Sequence, residues 1–178
     1  MSTTTNDRFI IKQAGKEDVA SFARILRMIW EGMERKEWFA IDDEPYVSRM
    51  LTTDAGIGYK AVDTAAGETA GLFMVALPGL EKNNLGHDLG FSEEKLLKTA
   101  VMDSAAILPE YRGHHLQYRL MQAAEAELRK RGYLYLTSTV HPENHSSHNT
   151  LTRQGYQVVA TKEKYGGLLR DILLKELF

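Results

Sequence analysis

The stretch Ile107-Leu108-Pro109-Glu110-Tyr111-Arg112-Gly113-His114-His115-Leu116-Gln117-Tyr118 joins an apolar run to the start of a long amphipathic helix. The first-turn amides of a helix lack partners inside it, and the dipole adds roughly half a positive charge there. Arg112 sets a fixed guanidinium on the lip. A turn of this kind can hold a phosphate or pyrophosphate. It can also be a plain capped helix start. Just before it, Asp103 interrupts the apolar run Ala100 to Leu108. A carboxylate in that position is costly unless it is paired or hydrated. It is therefore a hydrogen-bonded structural aspartate or a residue facing water, unless it has a chemical role.

Other constellations carry less. His141, His145 and His148 are spaced by four and three, but Pro142 breaks a helix between the first two, and Glu143 is the one nearby acid. Zinc wants three or four ligands in fixed geometry, so no metal site is expected. His114 and His115 are adjacent and point apart. No Gly-x-Ser-x-Gly elbow and no Walker loop are present; Gly56-Ile57-Gly58 lacks the rest of that pattern. Cysteine is absent, which removes thiolate zinc sites, disulfide scaffolds and cysteine nucleophiles.

The elements that must position these residues follow from periodicity. Arg8 to Lys12 reads as a short strand. Val19, Phe22, Ala23, Leu26, Ile29, Trp30 and Met33 share one helical face. Pro45 suits the first turn of a second helix through Val47, Met50 and Leu51. Gly58 to Val62 and Thr69 to Leu77 read as hairpin strands. Pro78 to Phe91 is a loop, and Ser92 caps a short helix through Leu96 and Leu97. Ala100 to Leu108 is a buried strand. A helix over Leu116, Leu120, Met121, Ala124 and Leu128 ends in Arg129-Lys130-Arg131-Gly132. Leu134 to Val140 is a strand, Asn144 to Arg153 a short helix, Tyr156 to Ala160 a strand. A Lys-rich turn then leads into a last strand from Leu168 to Leu177. This order gives an α/β domain with a mixed sheet.

The chain has 178 residues, and 22 basic against 24 acidic residues leave a net charge of −2. That length suits one domain, 7–178, behind a polar disordered tail, 1–6. The near-neutral balance offers no field for nucleic acid or an anionic membrane. No apolar run approaches the roughly 18 residues that span a bilayer. A polar start and no cysteine lead to a cytoplasmic expectation.

The run Pro109-Glu110-Tyr111-Arg112-Gly113 resembles the acetyl-CoA-binding motif of the GNAT superfamily of N-acetyltransferases, which continues in a glycine-spaced turn. Asn144, Ser147 and Gly155-Tyr156 are similar to that superfamily's next motif, and the element order resembles its fold. The resemblance covers Arg8 to Phe178 and is most specific over 99–160. It implies a GNAT-like acyl-CoA N-acyltransferase fold: a mixed sheet of about seven strands, splayed at the cofactor site and flanked by helices. It implies that acetyl-CoA lays its pantetheine arm along Ala106, Ile107 and Leu108. The pyrophosphate would sit on Arg112, Gly113, His114, His115, Leu116, Gln117 and Tyr118. Asn144 and Ser147 would lie near the later part of the cofactor. The implied reaction moves an acetyl group to a primary amine, of a small molecule or a protein, by direct attack in a ternary complex.

Three positions depart from the pattern. His115 and Gln117 stand where glycines are usual, and glycine lets backbone approach phosphate closely. Leu151 stands where many members place a tyrosine that protonates the leaving thiolate. General acid help is worth about 10²–10⁴-fold. By the same resemblance Asp103 becomes the base for the ammonium proton, since a free alkylamine is protonated at neutral pH. Tyr165, before Gly166-Gly167, is the candidate for the missing acid, or simply part of a turn. Trp38, Phe39 and Tyr46, around Asp42-Asp43-Glu44, would wall the acceptor site, or belong to the core beside a solvated helix start. The competing readings are a catalytically weak or inactive acyl-CoA-binding module and a structural domain that has lost the cofactor. A homodimer through the last strands is compatible with this pattern.

Overall fold

The computed structural model describes residues 7–178. The expected tail, 1–6, lies outside the described residues. Seven strands form one sheet: β1 (Phe9–Gln13), β2 (Gly56–Asp63), β3 (Glu68–Ala76), β4 (Thr99–Ile107), β5 (Tyr135–Val140), β6 (Gln157–Lys164) and β7 (Leu168–Glu176). Their spatial order is β1-β2-β3-β4-β5-β7-β6. Helices α1 (Val19–Glu31), α2 (Glu44–Thr52), α3 (Glu93–Leu96), α4 (Leu116–Lys130) and α5 (His145–Thr152) connect them.

Every expected element is present. α1 stops at Glu31, so Met33 lies just beyond it. Tertiary pairing overrides local composition in β6. The lysine-rich segment is not a turn, because Thr161, Lys162, Glu163 and Lys164 pair with β7 out to Leu168, and the turn is Tyr165-Gly166-Gly167. An edge strand can carry charges on its open face, which discourages edge-to-edge pairing. Val158 and Val159 of that edge are exposed.

The core explains the rigidity of the frame. β3 is buried from Ala70 to Ala76, on both faces, as a central strand covered on two sides must be. Phe22 and Leu26 of α1 and Leu116, Leu120 and Leu128 of α4 pack with Leu72, Met74, Leu136 and Ile172 of the sheet.

One junction departs from regular pairing. β4 and β5 are the parallel pair, and they are in register only over Thr99–Val101 and Tyr135–Thr137. Ser138 Oγ still donates to the Met102 carbonyl at 3.0 Å, the last tie before the strands diverge. Beyond it the β5-facing edge of β4 runs free from Asp103 to Ile107.

Candidate active site

The gap between β4 and β5 opens into a cavity of about 210 Å³ lined by Asp103, Ala105, Gln117, Ser138, Thr139, Asn144, Ser147 and Leu151. Ala105 and Gln117 also border a second cavity, of about 420 Å³, which follows β4 past Ala106 and Ile107 to Arg112, Gly113, His115 and Leu116. On the other side Asp103 and Thr139 border a third, of about 250 Å³, with Trp38, Phe39, Asp42, Ser104, Tyr165 and Arg170. A fourth, of about 310 Å³, is lined by Asp42, Tyr46, Asp103 and Tyr165. Asp103 faces three of the four, at the junction of the series.

A β-bulge puts it there. The β3–β4 register slips between Met74, opposite Ser104, and Val75, opposite Met102, so Asp103 has no residue across from it. The extra residue of a bulge re-aims its side chain. Tyr46 Oη donates to Asp103 Oδ2 at 2.6 Å. Burial first, then the charge of Asp42, pushes the Asp103 carboxyl up to about 7 against the opposing effect of the Tyr46 hydrogen bond. Asp42 itself accepts from Ser104 Oγ at 2.6 Å, and burial raises its pKa too. Two carboxylates thus share one poorly solvated corner, a setting that moves one of them toward neutral pH.

The α4 end leaves its first backbone amides open. Gly113 has φ 87, and an added Cβ would meet nothing within 4 Å. His115 is the N-cap with φ 57 and no side-chain cap. The amides of Leu116, Gln117 and Tyr118 have no acceptor within the helix. His115 therefore holds the left-handed conformation natural to glycine, at a cost of about 1–2 kcal/mol. Its side chain is exposed. The turn keeps a glycine-like backbone despite the substitution.

The other expected residues divide. Ala106, Ile107, Arg112, Gly113, His115, Leu116 and Gln117 line the second cavity. Leu108 does not; its amide donates to Ala70 O at 3.0 Å, at the end of the β3 ladder. His114 packs its ring on Phe9, with centroids 5.0 Å apart, and Tyr118 is half-exposed outside the lining. Asn144 caps α5 by accepting from the Ser147 amide at 3.3 Å, and both line the first cavity. Trp38 and Phe39 border the first and third cavities. Trp38 stacks on His141 at 5.8 Å, and Arg35 reaches Glu143 at 3.0 Å, tying this segment to the β5–α5 turn. His148 approaches Asp171 at 3.1 Å, so the histidines serve separate neighbours.

Tyr165 stands at φ 53 in its turn, and its hydroxyl lies 2.8 Å from Thr139 Oγ1. Burial raises its pKa, so the phenol is neutral and holds its proton. Thr139, Ser104, Ser138 and Arg170 escape sequence reasoning as site residues. For Arg170 a signal exists, a charge inside an apolar strand like that of Asp103. Thr139 and Ser138 carry none, because small hydroxyls are ordinary in strands.

Residues 89–156 match the model of the acetyltransferase (GNAT) family. That segment contains β4, α4, β5 and α5, the whole of the diverging junction. The likeness to that family therefore covers the part of the chain that builds the junction. Solved structures extend the GNAT likeness over nearly the full chain. NAA60 of Arabidopsis thaliana in complex with acetyl-CoA superposes with TM-score 0.74 at 10% identity, over 95% of this chain and 98% of that one. The ribosomal-protein-S18-alanine N-acetyltransferase of Escherichia coli gives 0.69 at 15%, over 95% and 94%. A GCN5-related N-acetyltransferase from Kribbella flavida gives 0.71 at 16%, over 96% and 99%. No curated protein sequence matches the chain. The fold is the GNAT fold, that of acyl-CoA-dependent N-acyltransferases. Leu151, the position where the resemblance led to the expectation of a tyrosine, is buried against the first cavity. Among the described residues no helix is long and apolar enough to cross a membrane.

Proposed function

We propose that the protein transfers the acetyl group of acetyl-CoA to a primary amine by direct attack in a ternary complex. The observation that carries this is Asp103, set by its bulge at the junction of the cavities with its carboxyl pushed up to about 7. The residues present suit acetyl-CoA. The free edge of β4 offers backbone partners to an extended arm, and the α4 amides with Arg112 offer an anion site. Bound there, acetyl-CoA supplies an activated thioester; the amine forms the new C–N bond and the thiol leaves.

The chain's own residues manage the protons. Asp103 accepts one from the ammonium, which frees the nitrogen lone pair, and Tyr46 holds the carboxylate in place through its hydroxyl. Thr139 borders both the first and third cavities and touches Tyr165. This hydroxyl pair is the candidate to deliver a proton to the departing thiolate in place of the tyrosine that Leu151 replaces. The apolar Leu151 favours a competing reading, a module that binds acyl-CoA without turnover.

Thermal unfolding with acetyl-CoA, and with ATP as the control for generic phosphate binding, tests the cofactor. Ligand at about 100 times its Kd adds about 2.7 kcal/mol, a rise of several degrees at this size. A rise with acetyl-CoA and little with ATP is the expected result; no rise at saturation refutes the reading. Binding with no CoA release across an amine panel would leave the non-catalytic module.

A further inference from the structure

Arg170 is the least ordinary charge in the molecule. It is 2% exposed on β7, yet among the described residues no carboxylate pairs with it. A guanidinium carries five N–H donors and remains charged when buried. Two donate to backbone carbonyls, to Leu169 O at 2.9 Å and Glu37 O at 2.5 Å. Its Nε makes no hydrogen bond and is not among the fully buried polar atoms left without one. Arg170 borders the third cavity, with its guanidinium carbon 5.9 Å from the Tyr165 ring centroid. A buried, unpaired charge is costly, and a bound counter-ion relieves that cost.

The same cavity is bordered by Asp42 and Asp103 and by the apolar Trp38, Phe39 and Ile41. Its volume of about 250 Å³ suits a molecule of amino-acid size. From this juxtaposition we infer that the acceptor is a small amino acid, its amine facing Asp103 and its carboxylate held by the Arg170 fork. This rests on the acyltransferase reading and names its substrate class. Planar carboxylate and planar guanidinium match in two parallel hydrogen bonds, which a neutral amide cannot reproduce. An unmet buried charge then discriminates against uncharged amines.

The test compares matched probes under saturating acetyl-CoA. Glycine, β-alanine, 4-aminobutyrate and 5-aminopentanoate are assayed beside their primary amides and beside an amidated tripeptide. For the best-fitting length the wild type is expected to favour the carboxylate by about 10- to 100-fold in kcat/KM. Arg170→Met collapses that ratio toward one, and Arg170→Lys restores part of it. A purely structural Arg170, one that only ties β7 to the Glu37 carbonyl, would lower both rates together and leave the ratio alone. Equal rates in the wild type, preference for the amides or the tripeptide, or an unchanged ratio in Arg170→Met overturns the assignment. If Arg170→Met fails to fold, the wild-type ratio and the lysine variant decide. Absence of an acetyl-CoA thermal shift refutes the acyltransferase reading instead. Calorimetric titration of the same probes then still reads the carboxylate preference, whose absence refutes Arg170.

Discussion

Asp103 faces two opposed demands. A base must be ionised to accept a proton, and burial beside Asp42 resists ionisation. The activity of the ternary complex should therefore rise with pH through about 7, as Asp103 loses its proton. Asp103→Asn should cost about 10²–10⁴ in kcat and flatten that profile. The stability sign is opposite. A carboxyl whose folded pKa exceeds its unfolded value of about 4 contributes stability below that value and loses it as pH rises to about 7. Asp103→Asn should thus raise Tm at pH 8 and change it little at pH 4, which differential scanning calorimetry reads. Asp42→Asn removes the neighbouring charge, so the rate inflection should shift to lower pH and activity at pH 6 should increase several-fold over wild type. An unmoved inflection would break the link between the two acids. Tyr165→Phe should lower kcat about tenfold or more with KM little changed, if its proton passes through Thr139; equal losses in Thr139→Val and the double variant would confirm a shared path. Asp103 was legible in sequence as a charge within an apolar strand. Its bulge, and the approach of Asp42 and Ser104, were not, because register and long-range contacts leave no local pattern.

Elements turn these residues into a site through two irregularities. β4 parts from β5 after three residue pairs, and α4 begins at an uncapped, left-handed His115. Open backbone groups result in both places, and open groups are what a ligand needs. Arg112 lines the cavity beside this helix start. Arg112→Ala should therefore weaken acetyl-CoA binding about tenfold or more, the scale of one charge-assisted hydrogen bond, with Tm of the free protein nearly unchanged. Calorimetric titration reads it, and an unaltered Kd would show that the amides alone hold the phosphates. Helix periodicity and caps made the elements plain: Ser92, Pro45 and Gly132 mark ends that the structure keeps. β6 was harder. Its lysines resemble a loop until β7 lies beside them, and that pairing is tertiary. The positions of Leu108 and His114 likewise depended on partners, Ala70 and Phe9, far away in sequence.

At the scale of the molecule, one sheet with a doubly buried central strand holds the four cavities in fixed relation. Solved structures at 10–16% identity share this frame with TM-scores of 0.69–0.74. Most side chains can change while the fold persists, since pattern and volume sustain a core. Asp42, Asp103 and Arg170 border one of these cavities, and Leu151 lines the neighbouring one. The proposed direct transfer between two bound substrates rests on cavities that meet at Asp103, in a chain without cysteine. The most direct measurement is initial velocity of CoA release with acetyl-CoA and an accepted amine both varied, with the acetylated product weighed by mass spectrometry. Intersecting lines and an unmodified protein are the predicted result. Parallel lines with an acetylated protein intermediate, or no product from any amine, would contradict it.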